Sequence, residues 1–247
     1  LSVLTSIIFL FSCGNNKEEN NHFNLVKGFA QGTTYSIKYK DIFDRDFSYS
    51  FDSILKEIDQ QLSTYDSTSF ISKVNNLSDT CINLKGNDLF HFCLNYSKKM
   101  ASLTNGFFNP AVYPLVNYWG FYNDTIPLID SMFIKDSILI YVDLDLNFKI
   151  TKRNSEDFLC KKNKKSKLDF NAVAQGYSVD LIADFLNNKG VIHYLIEIGG
   201  ELAAKGLNIN GEPWKIGIEK PVDNSFTAEH TFQNIIELNN KSLATSG

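Results

Sequence analysis

The residues whose types and spacing could do chemistry lie in Leu168-Asp169-Phe170-Asn171-Ala172-Val173-Ala174-Gln175-Gly176-Tyr177-Ser178-Val179-Asp180. An acid and an amide stand immediately before an apolar-periodic run, where a helix would begin. The first amides of a helix and its dipole hold anions well, so this corner suits the phosphates of a nucleotide. Downstream, Gly199-Gly200-Glu201 could let backbone approach that ligand closely. The plainer alternative is that Asp169 and Asn171 cap a helix and the glycines turn a corner.

Other chemistry-bearing residues are less organised. The histidines His22, His91, His193 and His230 show no metal-ligand spacing, and His193 falls within a predicted strand as a satisfied histidine. Apart from Cys13, the cysteines Cys81, Cys93 and Cys160 contain no Cys-x-x-Cys, and an odd number cannot all pair internally. Neither a zinc site nor a disulfide framework is expected. The aromatic segment from Phe107 to Phe121, interrupted by Pro110 and Pro114, forms a loop that could stack a planar ring, or simply core. Lys161 to Lys167 reads as a solvated hairpin turn between two strands.

These residues need elements to position them. Val173, Tyr177, Leu181 and Phe185, widened by Ile182 and Leu186, form one buried helix face, and Asn187-Asn188-Lys189-Gly190 ends the helix. Lys167 to Phe170 alternates like the end of a strand, and Val191 to Ile198 is a second strand. Val26 to Tyr39 predicts two strands broken near Gly32, or one bulged there. Phe51 to Leu62 and Asn87 to Thr104 predict helices, with a polar turn at Ser63 to Ser69 and a short element to Asn75. Ile138 to Thr151 predicts paired strands, and Trp214 to Pro221 and Asn234 to Leu238 add more. Strands and helices come in clusters, which predicts one α+β domain with a mixed or mainly antiparallel sheet and flanking helices.

With 247 residues, 43% hydrophobic and 21% charged, the chain has the composition of a globular protein, and a formal net charge of -4 argues against nucleic-acid binding. Residues 1–12 are apolar but too short to span a bilayer, and read as part of a signal peptide. Leu10-Phe11-Ser12-Cys13 resembles a bacterial lipobox. It implies cleavage before Cys13, lipidation of that thiol, and a polar tether over 13–24 leading into the domain at 25–247.

Taken in order, Gly32-Thr33-Thr34-Tyr35, Leu62-Ser63-Thr64-Tyr65 with Ile71-Ser72 and Asn75, Pro114 to Asn117 with Trp119-Gly120-Phe121, the run from Asp169 to Asp180, Ile198-Gly199-Gly200-Glu201 and Ala244-Thr245-Ser246-Gly247 resemble the ApbE-type FAD:protein FMN transferases. The resemblance covers nearly all of 26–247 and implies a T-fold-like domain. It further implies a magnesium-dependent enzyme that takes FAD, transfers FMN to a Ser/Thr hydroxyl of a flavoprotein subunit in a membrane electron-transfer complex, and releases AMP. The location implied is the bacterial envelope, lipid-anchored and facing the periplasm. By position, Asp169 would contact FAD and the backbone carbonyl of Ala172 would ligate magnesium. Gln31, Tyr65, Phe107, Phe108 and Asn109 match flavin-nucleotide contacts, and Gln175, Gly199, Gly200, Glu201, Ser246 and Gly247 would line the same cleft.

The chain also departs from the family pattern. Gln175 stands where Lys is common, exchanging a charge-assisted phosphate contact for a neutral one. Asn109 stands where an acid is usual. The sequence stops before the family's later His-containing segment and the Asp and Thr that complete its metal site. The catalytic residue is therefore expected beyond Gly247, and tight magnesium binding is not expected of these residues alone. Alternatives are an FAD pyrophosphatase, with water as acceptor, and a flavin-binding lipoprotein without turnover.

Overall fold

The structure is a computed structural model that describes residues 22–121, 128–219 and 232–245. The leader, Cys13, most of the tether, His230, Ser246 and Gly247 lie outside the described residues. Strands β1 (Asn24–Ala30) and β2 (Thr33–Lys40) form a hairpin through Gln31 and Gly32. Both turn residues have positive φ, 55° and 75°, as a two-residue turn matched to strand twist requires.

Helices α1 (Ser48–Leu62) and α2 (Phe70–Asn76) follow, then β3 (Thr80–Asn83) and α3 (Asp88–Leu103). The Gln61 carboxamide oxygen accepts the N–H groups of Leu89 and Phe90, so α1 caps the start of α3. The aromatic segment contains only a short helix, α4 (Tyr113–Tyr118), with Pro114 in its first turn where no N–H is needed.

From Ile138 to Asn147 the expected strand does not form, and of the Ile138 to Thr151 stretch only Phe148 to Thr151 enters one. Helical turns α5 (Ser131–Phe133), a π-type turn at Ile134–Ile138, α6 (Leu139–Val142) and α7 (Leu144–Asn147) take its place. The reason is local capping. Asp130 accepts the N–H groups of Met132 and Phe133, Asp143 accepts that of Leu146, and the Asn147 amide bonds back to the carbonyls of Ile140 and Asp143. Ile138 and Val142, one helical turn apart, become the buried pair.

Strands β4 (Phe148–Arg153) and β5 (Glu156–Lys161) then pair with β3 in the antiparallel order β3-β5-β4. That register sets Cys81 opposite Cys160 and joins them by a disulfide, where the cysteine spacing led to no expectation of a disulfide framework. Only the tertiary register brings together residues 79 positions apart, and the odd cysteine, Cys93, is free and buried. The Lys161 to Lys167 run is likewise not simply a solvated turn: Lys161 is 1% exposed. Residues 167–170 belong to no strand.

After α8 (Asn171–Asn188), strands β6 (His193–Ile198), β7 (Glu201–Lys205), β8 (Trp214–Glu219), β9 (Phe232–Leu238) and β10 (Lys241–Leu243) complete the fold. The main sheet, β1-β2-β6-β7-β10, is wholly antiparallel. One face, carrying Tyr35, Ile37, Tyr39, Tyr194, Ile196 and Ile198, joins the large core with α1 and α8. The other carries Leu202 and Ala204 under the β8–β9 ribbon, packed on Trp214 and Leu238. Because α8 is covered both by the sheet and by helices, its most buried residues are Ser178, Val179, Ile182 and Leu186. The expected stripe is only partly buried: Phe185 meets Phe47 and Phe51 edge-on, and Tyr177 stacks on Phe92 at 4.3 Å.

Candidate functional site

The start of α8 is held from outside itself. The Asn75 carboxamide grips the Leu168 backbone twice, donating to its carbonyl at 2.9 Å and accepting its N–H at 2.7 Å. Asn75 is itself fixed by Lys161, whose ammonium donates to the Asn75 carbonyl at 2.5 Å and to that of Val74 at 3.4 Å. The Asp169 N–H then donates to the Pro110 carbonyl at 2.8 Å. Within the corner, Asp169 Oδ1 accepts the Asn171 N–H at 2.7 Å, and the Phe170 carbonyl accepts those of Val173 and Ala174. The carboxylate thus engages one of the amides with which it was expected to share a ligand.

Three cavities converge on this helix start. The first, of about 490 Å³, is lined by Gln31, Tyr65 and Gln175 together with Asp59, Asp66 and Asn171. The second, of about 780 Å³, is walled by Tyr65, Phe107, Phe108, Asn109, Asp169 and Ala172, and also by Asn171. The third, of about 440 Å³, holds Ala172, Tyr177, Asp180, Glu201 and Ser242 to Ala244. Tyr65 and Asn171 are common to the first two, and Ala172 joins the second to the third. Phe107, 97% exposed, presents a free aromatic face.

Beside the first cavity, Gln31 donates to Ser178 Oγ at 2.5 Å, and that hydroxyl donates to the Ala174 carbonyl at 2.7 Å. Gln31 Oε1 is buried without a partner among the described residues, although its residue occupies the left-handed region. A Cβ on Gly199, whose φ is +57°, would sit 2.7 Å from both Gln175 Nε2 and Thr33 Cγ2, so glycine there makes room for Gln175. Gly200 donates its N–H to Glu197 at 3.0 Å and accepts the Thr245 hydroxyl at 3.1 Å. Asn109 has both ends of its amide committed, to the Val142 carbonyl and the Ala111 N–H.

The lining is acidic. Burial pushes the Asp59 carboxyl up; the backbone amide of Gln31 opposes this and the Asp66 charge adds to it. Burial raises Glu201 likewise, opposed by its own backbone amide and reinforced by Glu197. Glu201 Oε2 is buried without a partner among the described residues. Among the described residues no Lys or Arg lines any of the three cavities. The third is lined by the acids Asp180 and Glu201 together with Ala172 and Ser242. Among the described residues no group of three or more His, Cys, Asp or Glu could hold a metal ion.

The structure therefore gathers Gln31, Tyr65, Phe107, Phe108, Asn109, Asp169, Ala172, Gln175 and Glu201 around one helix turn, with Gly199 and Gly200 supporting it. The sequence reading missed Asp59, Asp66 and the Asn75–Lys161 clamp. Asp59 lies on the partly exposed side of an ordinary amphipathic helix and carries no local signal; Asn75 stood within a quoted motif but without a role.

The family model described as ApbE family matches residues 31–247. A Vibrio cholerae protein named FAD:protein FMN transferase is 32% identical over 259 aligned positions, covering 100% of this chain and 71% of that protein. A Haemophilus influenzae protein of the same name is 31% identical, covering 90% of this chain and 65% of its own length. Among solved structures, the flavin transferase ApbE from Vibrio cholerae superposes with a TM-score of 0.75 at 30% identity, over 92% of this chain and 72% of that one. The apo form of the Pseudomonas stutzeri flavinyl transferase ApbE gives 0.76 at 31% identity, over 92% and 68%. With its glycine-supported helix start and its antiparallel sheet matched over that length, the chain belongs to the ApbE family.

Proposed function

We propose that this chain transfers the FMN half of FAD to a Ser/Thr hydroxyl of a partner flavoprotein and releases AMP, with magnesium as cofactor. One observation carries the reading: a single helix start opens at once onto an aromatic-walled cavity and a carboxamide-lined one, a shape for a ligand with rings at its ends and phosphates in the middle. In the reaction the hydroxyl oxygen bonds to the FMN-side phosphorus and gives up its proton to solvent, the bridging P–O bond breaks, and AMP leaves with the bridging oxygen.

The chain's own residues bind and orient. Tyr65 and Phe107 offer ring faces, Gln31 and Gln175 offer neutral hydrogen bonds, and the first turn of α8 presents its positive end to the phosphates. With Asp59, Asp66 and Asp169 nearby and no lining Lys or Arg among the described residues, a diphosphate needs added positive charge. Magnesium would supply it, and it commonly binds through few protein oxygens plus substrate phosphates and waters. The Ala172 carbonyl is the protein oxygen proposed for it.

Lipidation of Cys13, an envelope location facing the periplasm, and an acceptor in a membrane electron-transfer complex complete the proposal. The Cys81–Cys160 disulfide supports an oxidising compartment. Incubation with FAD, magnesium and an acceptor flavoprotein subunit is expected to add one FMN mass to the acceptor and release AMP in equal amount. Chelation should stop both products and magnesium should restore them. FAD bound without either product, in the presence of an acceptor that a relative modifies, overturns the reading.

A further inference from the structure

The elements around the site all run away from it to one opposite pole. β2 ends at Lys40, β6 begins at His193 and pairs with it, β7 ends at Lys205, and α8 ends at Asn188. An 18-residue helix puts that pole about 27 Å from the site. β1 starts there too, since Asn24 pairs with Tyr39.

The pole carries apolar tips on a rigid base. Asp41, buried, accepts the N–H groups of Phe43 and Arg45 and the Arg45 guanidinium, locking the loop between β2 and α1. Ile42 and Phe43 stand out from it, 75% and 67% exposed, with Arg45 over the Phe43 ring at 5.0 Å. Arg45 donates to the Lys189 carbonyl, and His193 Nδ1 accepts the Leu207 N–H, so these loops adjoin. Exposed Ile192, Leu207 and Ile209 extend the same pole.

We propose that this pole is the surface laid against the phospholipid bilayer, so that the flavin cleft faces away from it. The inference rests on the lipid-anchor reading. Eight residues separate Cys13 from His22 and reach at most about 30 Å, so an anchored domain stays near the bilayer and its β1 end is nearest. Ile42 and Phe43 stand between Asp41, whose carboxylate the Arg45 guanidinium meets, and Asp44; such exposed apolar tips suit the headgroup boundary, where rings and aliphatic chains bury.

The mature lipoprotein carrying Phe43→Cys or Phe29→Cys, each labelled with an environment-sensitive fluorophore, is mixed with phosphatidylethanolamine–phosphatidylglycerol vesicles. Cys93 is buried, so labelling is selective among the described cysteines. Phe29 is exposed at the site end of β1 and serves as the control. The expected result is flotation of both proteins with the vesicles, a several-fold brightening at 43 that nitroxide lipids quench, and no response at 29. Flotation with a silent or equal response at 43 overturns the proposed surface but keeps the anchor. Brightening at 43 only on adding an acceptor overturns it in favour of a protein interface. Failure to float removes the anchor reading and this proposal with it.

Discussion

Asp169 places a negative charge two residues before α8 begins and accepts the Asn171 N–H at 2.7 Å, a role that needs an oxygen acceptor but no charge. Asp169→Asn keeps that acceptor, and Asp169→Ala does not. Urea unfolding should therefore show Asp169→Asn within about 0.5 kcal/mol of wild type and Asp169→Ala lower by about 1 kcal/mol. If the charge also serves the ligand, both lose FMN transfer by about tenfold or more, a change of about 1.4 kcal/mol in the barrier. Asp180→Ala, altering an exposed residue on the same helix, should change transfer much less. At Gly199 the limit is space and backbone together. Gly199→Ala should cost about 1–3 kcal/mol in stability and weaken FAD binding by displacing Gln175, as fluorescence titration would show.

Between elements, the clamp running from Lys161 through Asn75 to Leu168 ties the second sheet and α2 to the start of α8. Asn75→Ala leaves a buried N–H and carbonyl unpaired and should cost about 2–4 kcal/mol, with FAD affinity falling as the corner loosens. Lys161 gives this clamp a pH signature. Burial, and secondarily the Lys167 charge, push its ammonium down to about 8 from 10.5. Between those values the unfolded chain holds the extra proton, so this residue's contribution to stability rises with pH by up to about 1.4 kcal/mol per unit. Lys161→Met should lack that slope when unfolding midpoints at about pH 7.5 and about pH 9.5 are compared with wild type. These links also mark what could be read from sequence. The break near Gly32, though not whether it was a hairpin or a bulge, and α8 were legible because turn chemistry and helical period are local. The turns from Ile134 to Asn147 were not, because alternating apolar residues mimic a strand while the Asp130, Asp143 and Asn147 side chains decide otherwise. Of the site, Asp169 and Gly199 could be picked out because acid-before-helix and paired glycine are local patterns. Asp59 and Lys161 acquire their surroundings only when distant segments meet.

Across the whole molecule, the Cys81–Cys160 bond closes a loop between residues 79 apart while the main sheet stands without such a staple. Replacing both cysteines by serine should lower stability by about 2–4 kcal/mol, measured by thermal or urea unfolding. FAD should bind the variant normally once folded, since neither sulfur lines the three cavities. The helix start where those cavities meet has a geometric consequence of its own. Successive residues on a helix point about 100° apart, so Asn171 and Ala172 serve as neighbouring spokes on one hub. Inserting or deleting a single residue just before them would swing each spoke into the adjoining chamber, which makes this the place in the chain least tolerant of a change in length.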